Sequence, residues 1–91
     1  MAKVSGTMEL MDIISSLPPT SEFEDVIVEG DYETRENIIY HCTMDKDWEL
    51  DVDISSSSNI YYLFVNDKMR ARIGINCGND DFYNDIVLSK W

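Results

Sequence analysis

The run DYETRENIIYHCTMDKDWELDVDI, residues 31–54, sets the fold, and its second half has the clearest pattern. From Asp47 to Ile54 every second residue is large and apolar (Trp48, Leu50, Val52, Ile54). Those between are acidic: Asp47, Glu49, Asp51 and Asp53. Strict alternation is the mark of a half-buried strand, because successive side chains leave a strand on opposite faces. This predicts a strand over 48–54 with its apolar residues in the core and four carboxylates in one solvent-facing row, ~6.8 Å apart. Upstream, IIYHCTM (38–44) is rich in β-branched and aromatic residues and reads as another strand. DYETREN then becomes a polar connection, and DKD (45–47) a turn.

Working outward, MELMDIISSL (8–17) places Leu10, Met11, Ile13, Ile14 and Leu17 on one face at helical spacing. Thr7 caps it, and Pro18 and Pro19 stop it. FEDVIVEG (23–30) reads as the first strand. SSSSN (55–59) is a solvated loop. IYYLFV (60–65) is apolar throughout and is expected to be a central strand covered on both faces. KMRARIGIN (68–76) follows as a fifth strand after a tight turn at Asn66–Asp67. It alternates Met69, Ala71, Ile73 and Ile75 with Lys68, Arg70 and Arg72. The last segment, DDFYNDIVLSKW, reads as a helix capped by Asn79 or Asp80, with a short strand over IVLSKW as the alternative. The expectation is a single α+β domain over residues 1–91: an N-terminal helix, an antiparallel meander of about five strands, and a C-terminal helix.

Charge bounds the function. Eighteen acidic side chains oppose seven basic ones, for a net charge of −11. Such a chain repels nucleic acid and anionic membrane and attracts basic surfaces. The excess is localised: residues 20–53 carry twelve acidic side chains against Arg35 and Lys46, while residues 54–91 are neutral. Like charges on one face of a strand cost stability, so a purely acidic row asks for a reason. One reason is protection of an exposed edge; another is balance by Lys68, Arg70 and Arg72; a third is recognition.

Catalytic and metal chemistry find little support. An EF-hand starting at Asp45 needs Gly at its sixth position and Glu at its twelfth, where this chain has Leu50 and Ser56. His41 and Cys42 are adjacent, so on a strand they diverge and cannot pair. No zinc spacing and no phosphate-binding glycine loop occurs, and the reading is a non-enzyme without cofactor. No signal peptide or membrane-length apolar run is evident, so a soluble cytoplasmic protein is expected, with Cys42 and Cys77 reduced.

In size and charge character, with ordered carboxylate rows and richness in Asp, Asn, Ile and Tyr, the chain resembles the phage-encoded DNA-mimic inhibitors. These are anti-restriction proteins of the Ocr and Arn type and some anti-CRISPR proteins. The resemblance implies a protein that acts in the host cytoplasm. It would occupy the cationic cleft of a nucleic-acid-binding protein, such as a nuclease, restriction enzyme or CRISPR effector, with carboxylates standing in for phosphates and no direct contact with nucleic acid or membrane. The partner-binding surface expected on this reading comprises Glu29, Asp31, Glu33, Glu36, Asp45, Asp47, Glu49, Asp51 and Asp53. Tyr32 and Tyr40 are its aromatic anchors, and a homodimer would lengthen the acidic track. An immunity protein or antitoxin against a basic toxin, and a non-catalytic adaptor or structural subunit, are the alternatives.

Overall fold

The computed structural model describes residues 2–17, 26–55, 59–78 and 85–91. In chain order the elements are β1 (Ala2–Lys3), α1 (Thr7–Ser16), β2 (Val26–Glu29), α2 (Tyr32–Met44), β3 (Glu49–Ser55), β4 (Asn59–Asn66), β5 (Ala71–Gly78) and β6 (Asp85–Lys90). The strands form one sheet in the order β1-β2-β6-β5-β4-β3. The five longer strands are antiparallel, and short β1 adds parallel to β2.

Two expected elements are corrected. Residues 38–44 are not a strand: they are the last two turns of α2, and the polar DYETREN supplies its cap and first turns. The Asp31 carboxylate accepts the Thr34 N–H at 2.8 Å, which starts the helix. Thr34, Arg35, Ile38 and Cys42 then recur on the buried side at helical spacing. Local β propensity in 38–44 yields to this capped frame, whose buried side mixes Ile38 and Cys42 with Thr34 and Arg35. At the C-terminus, residues 85–90 are a strand and not part of a helix. β6 fills the slot between β2 and β5, with Ile86 and Leu88 fully buried. The loop expected at 55–59 is shorter than that: Ser55 ends β3 and Asn59 opens β4. Its middle, 56–58, lies outside the described residues, as do the helix stop at Pro18 and Pro19, residues 23–25 of the expected first strand, and the proposed helix start at Asn79 or Asp80.

The other elements stay close to expectation, with local differences. α1 begins one residue earlier, at Thr7, with Gly6 as its cap. Glu9 instead reaches back to accept the Ser5 N–H at 2.9 Å and the Ser5 hydroxyl at 2.8 Å. Residues 67–70 form the β4–β5 turn, with Arg70 in left-handed backbone (φ 54°), so β5 begins at Ala71.

Both helices lie on one face of the sheet. Leu10, Ile14, Ile38 and Cys42 join Val28, Phe64, Ala71, Ile73, Ile75, Ile86 and Leu88 in a single core. By register, those sheet residues all share the helix-facing side. β4 is therefore covered on one face only, contrary to its uniformly apolar sequence: Phe64 is buried, while Tyr61, Leu63 and Val65 on the far face are partly exposed. Among the described residues, no helix is long and apolar enough to cross a membrane.

β3 departs furthest from its sequence pattern. It is an edge strand, and its register with β4 slips between Leu50 and Val52, leaving Asp51 as the extra residue of a bulge. Leu50 pairs with core-side Phe64, but Val52 pairs with Leu63 and Ile54 with Tyr61, both on the open face. The bulge reverses the alternation. Of the four apolar residues expected in the core, only Trp48 is buried; Leu50 is 48% and Ile54 56% exposed. Asp53 is turned to the helix side, opposite Tyr62.

Candidate functional site: the acidic, tyrosine-lined side of α2

α2 positions the aromatic and acidic residues that the sequence singles out. Its buried side is occupied by Ile38, Cys42 and, unexpectedly, Arg35, which is 3% exposed. The Arg35 Nη1 donates to the carbonyl of Asn76 on β5, and its Nε donates to the Asp31 carbonyl at 3.4 Å. Its guanidinium also sits 5.7 Å from the centre of the Tyr32 ring. The one cation within α2 is thus built into the fold beneath the helix. The thiol of Cys42 is free and buried; burial, with a smaller push from Asp45, raises its pKa to about 12. At that value it is a poor nucleophile.

The outward side differs. Tyr32, Glu36 and Tyr40 stand on successive turns, ~6 Å apart along the axis. Tyr32 is 58% and Tyr40 68% exposed. Together with Ile39 and Thr43 they form one wall of a groove of about 550 Å³, which Ile60 and Tyr62 of β4 line from the sheet. Tyr62 is braced by Phe64, with ring centres 6.2 Å apart. Glu33 is exposed on the same helix but does not line the groove. Asp31 caps the helix, and the N–H and hydroxyl of Thr34 hold its carboxyl below the usual carboxylate range. Phenol rings bordering a carboxylate make a site for a guanidinium or ammonium group, held by charge and by the ring faces.

The remaining predicted residues are not gathered there. Asp45 caps the C-terminus of α2, accepts the Asp47 N–H at 2.9 Å and lies 3.8 Å from His41 Nε2. Asp47 pairs with Lys68 at 3.0 Å. Glu49 and Asp51 line a separate hollow with Val65, Asp67, Arg72 and Trp91. Asp53 is on the opposite face from these, and Glu29 is across the sheet, beside Lys3 and Asp85 in register. The single row expected over Asp47–Asp53 is therefore divided: one member is ion-paired, two share a hollow, and one faces the other way. Its edge position and bulge are the features by which sheets discourage edge-to-edge pairing.

Sequence reasoning found Tyr32, Glu36 and Tyr40 but missed Ile39, Thr43, Ile60 and Tyr62. The missing signal was the i, i+4, i+8 spacing of residues 32, 36 and 40, visible only once 31–44 is read as a helix. Among the described residues, no group of three or more His, Cys, Asp or Glu side chains is arranged to hold a metal ion. Comparison of the chain with protein-family models, curated proteins and solved structures found no match.

Proposed function

We propose that the protein is a non-catalytic, acidic inhibitor that binds the cationic, nucleic-acid-binding surface of a partner protein through the outward side of α2. The observation that carries this reading is the alignment of Tyr32, Glu36 and Tyr40 along a groove backed by Tyr62. The charge supports it. Of the seven basic residues, Lys68 is paired with Asp47, Arg35 is turned into the interior, and Arg72 stacks on Trp91 at 4.9 Å. Among the described residues, no salt bridge reaches Glu33 or Glu36. A partner's Arg or Lys would enter the groove between the phenols, and the surrounding negative field would speed encounter.

On this reading the resemblance to DNA mimics lies in carboxylates on a helix, interleaved with tyrosines, in place of a straight acidic line on a strand. Action in the host cytoplasm belongs to the same proposal. The test is capture from a heparin-retained cytosolic protein fraction, at about 50 mM and about 500 mM salt, with and without duplex DNA as competitor. The captured protein is then purified and its affinity measured. The expected result is a nucleic-acid-binding protein that DNA and salt both displace. Its affinity should fall about tenfold or more for E33Q/E36Q/Y40A and stay near wild type for E49Q/D51N. Binding indifferent to DNA, salt and the α2 substitutions would refute the reading.

A further inference from the structure

The sheet face turned away from the helices carries a second, independent feature. Register places Ile27, Val87, Gly74, Leu63 and Val52 in one row running straight across β2, β6, β5, β4 and β3. Four inter-strand spacings make this row ~19 Å long. At its middle Gly74 has no side chain, and the Tyr61 phenol lies over it: a Cβ there would sit 2.6 Å from the Tyr61 hydroxyl. Ile54, paired with Tyr61, widens the apolar strip at the β3 end. Ile27 and Ile54 are exposed, Leu63, Val52 and Val87 are partly so, and none belongs to the core.

Carboxylates flank both sides of this row. On one side Glu29 and Asp85 stand directly opposite each other in register, with Lys3 next to Glu29. Like charges in that position destabilise a sheet when nothing lies between them. On the other side Glu49, Asp51 and Asp67 surround a hollow of about 300 Å³ whose one cation, Arg72, stacks on Trp91. Glu29, Asp85, Glu49 and Asp51 thus border the row with Lys3 and Arg72 beside them, while Asp67 lies in the β4–β5 turn with Lys68 and Arg70.

We propose that this row is a docking surface for a basic amphipathic helix of a partner protein. The apolar stripe of the helix would lie along Ile27–Val87–Leu63–Val52, with Lys or Arg on both flanks meeting Glu29 and Asp85 on one side and Glu49 and Asp51 on the other. About 13 helical residues span the row. Charge complementarity selects this occupant over a second copy of the chain, whose own carboxylate flanks would be brought against these. The site is on the opposite face from the α2 groove, so either can fail without the other.

The test uses a synthetic Leu/Lys peptide of about 14 residues with its leucines at helical i, i+3, i+4, i+7 spacing, and a scrambled peptide of the same composition. Both are titrated into the ¹⁵N-labelled full chain. The amphipathic peptide should bind about tenfold or more tightly than the scrambled one, with the largest shifts at Ile27, Val52, Leu63 and Val87. L63S/V87S should reduce its affinity about tenfold. E29Q/D85N, which leaves the apolar row intact, should weaken binding and reduce its salt dependence. Equal affinity for the two peptides, shifts centred on α2, or sedimentation showing self-association that L63S/V87S abolishes would each overturn the proposal.

Discussion

The guanidinium of Arg35 lies beneath α2, where its hydrogen bond to the Asn76 carbonyl ties the helix to β5. Removing it leaves that carbonyl without its charged donor, and Arg35→Ala should lower unfolding free energy by about 2–4 kcal/mol, measured by urea denaturation. Cys42 gives a pH signature. Its thiol ionises at about 12 in the fold against 9.0 for the ordinary group. The folded state therefore holds this proton more tightly than the unfolded state, so its contribution is complete below pH 9 and is lost as pH rises towards 12. In a Cys77→Ser background, the fall in stability between those values should be shallower when Cys42 is also replaced by Ala. Burial keeps this thiol protonated and covered at pH 8, so iodoacetamide should label it far more slowly in the folded chain than in urea.

At the scale of elements, much of the sheet was legible. Ala71, Ile73 and Ile75 alternate as β5 requires, and Leu10 and Ile14 mark the inner side of α1. Four things were not: the short β1, which the sequence reading lacks; β6, which reads as part of a helix although it lies between β2 and β5; α2; and the bulge in β3. α2 hides its helical frame because Ile38, Ile39, Tyr40 and Thr43 are individually good strand residues; the cap at Asp31 and the inward Arg35 decide otherwise. The bulge at Asp51 depends on the partner strand, and no local pattern announces it. Because Asp51 is the surplus residue, its deletion preserves every pairing of β3 with β4. The shortened chain should fold with a urea midpoint close to wild type, and cross-strand contacts in NMR spectra should be unchanged; with its edge straightened, it should self-associate more readily at high salt. Asp31 offers a complementary test of α2. Its folded pKa is lowered, so its capping contribution exists above the unfolded pKa and disappears as pH falls through the folded value. The stability gap between wild type and Asp31→Asn should close as pH drops from 7 to 2.

For the whole molecule, the governing quantity is the net charge of −11. Repulsion among these charges opposes the compact state and is screened by salt. Raising NaCl from about 10 mM to about 500 mM should therefore raise Tm by a few degrees, since ~1 kcal/mol moves a domain of this size by roughly 4–8 °C. The same condition should weaken binding to a cationic partner, so stability and affinity are expected to respond to salt in opposite directions. The most direct check is an NMR titration of the ¹⁵N-labelled chain with its purified, DNA-displaceable partner. Resonances of Tyr32, Glu36, Tyr40 and Tyr62 are predicted to shift together, and in E33Q/E36Q/Y40A those of Tyr32 and Tyr62 to need about tenfold or more partner for the same shift. A saturated complex in which these four resonances stay unmoved would contradict the account.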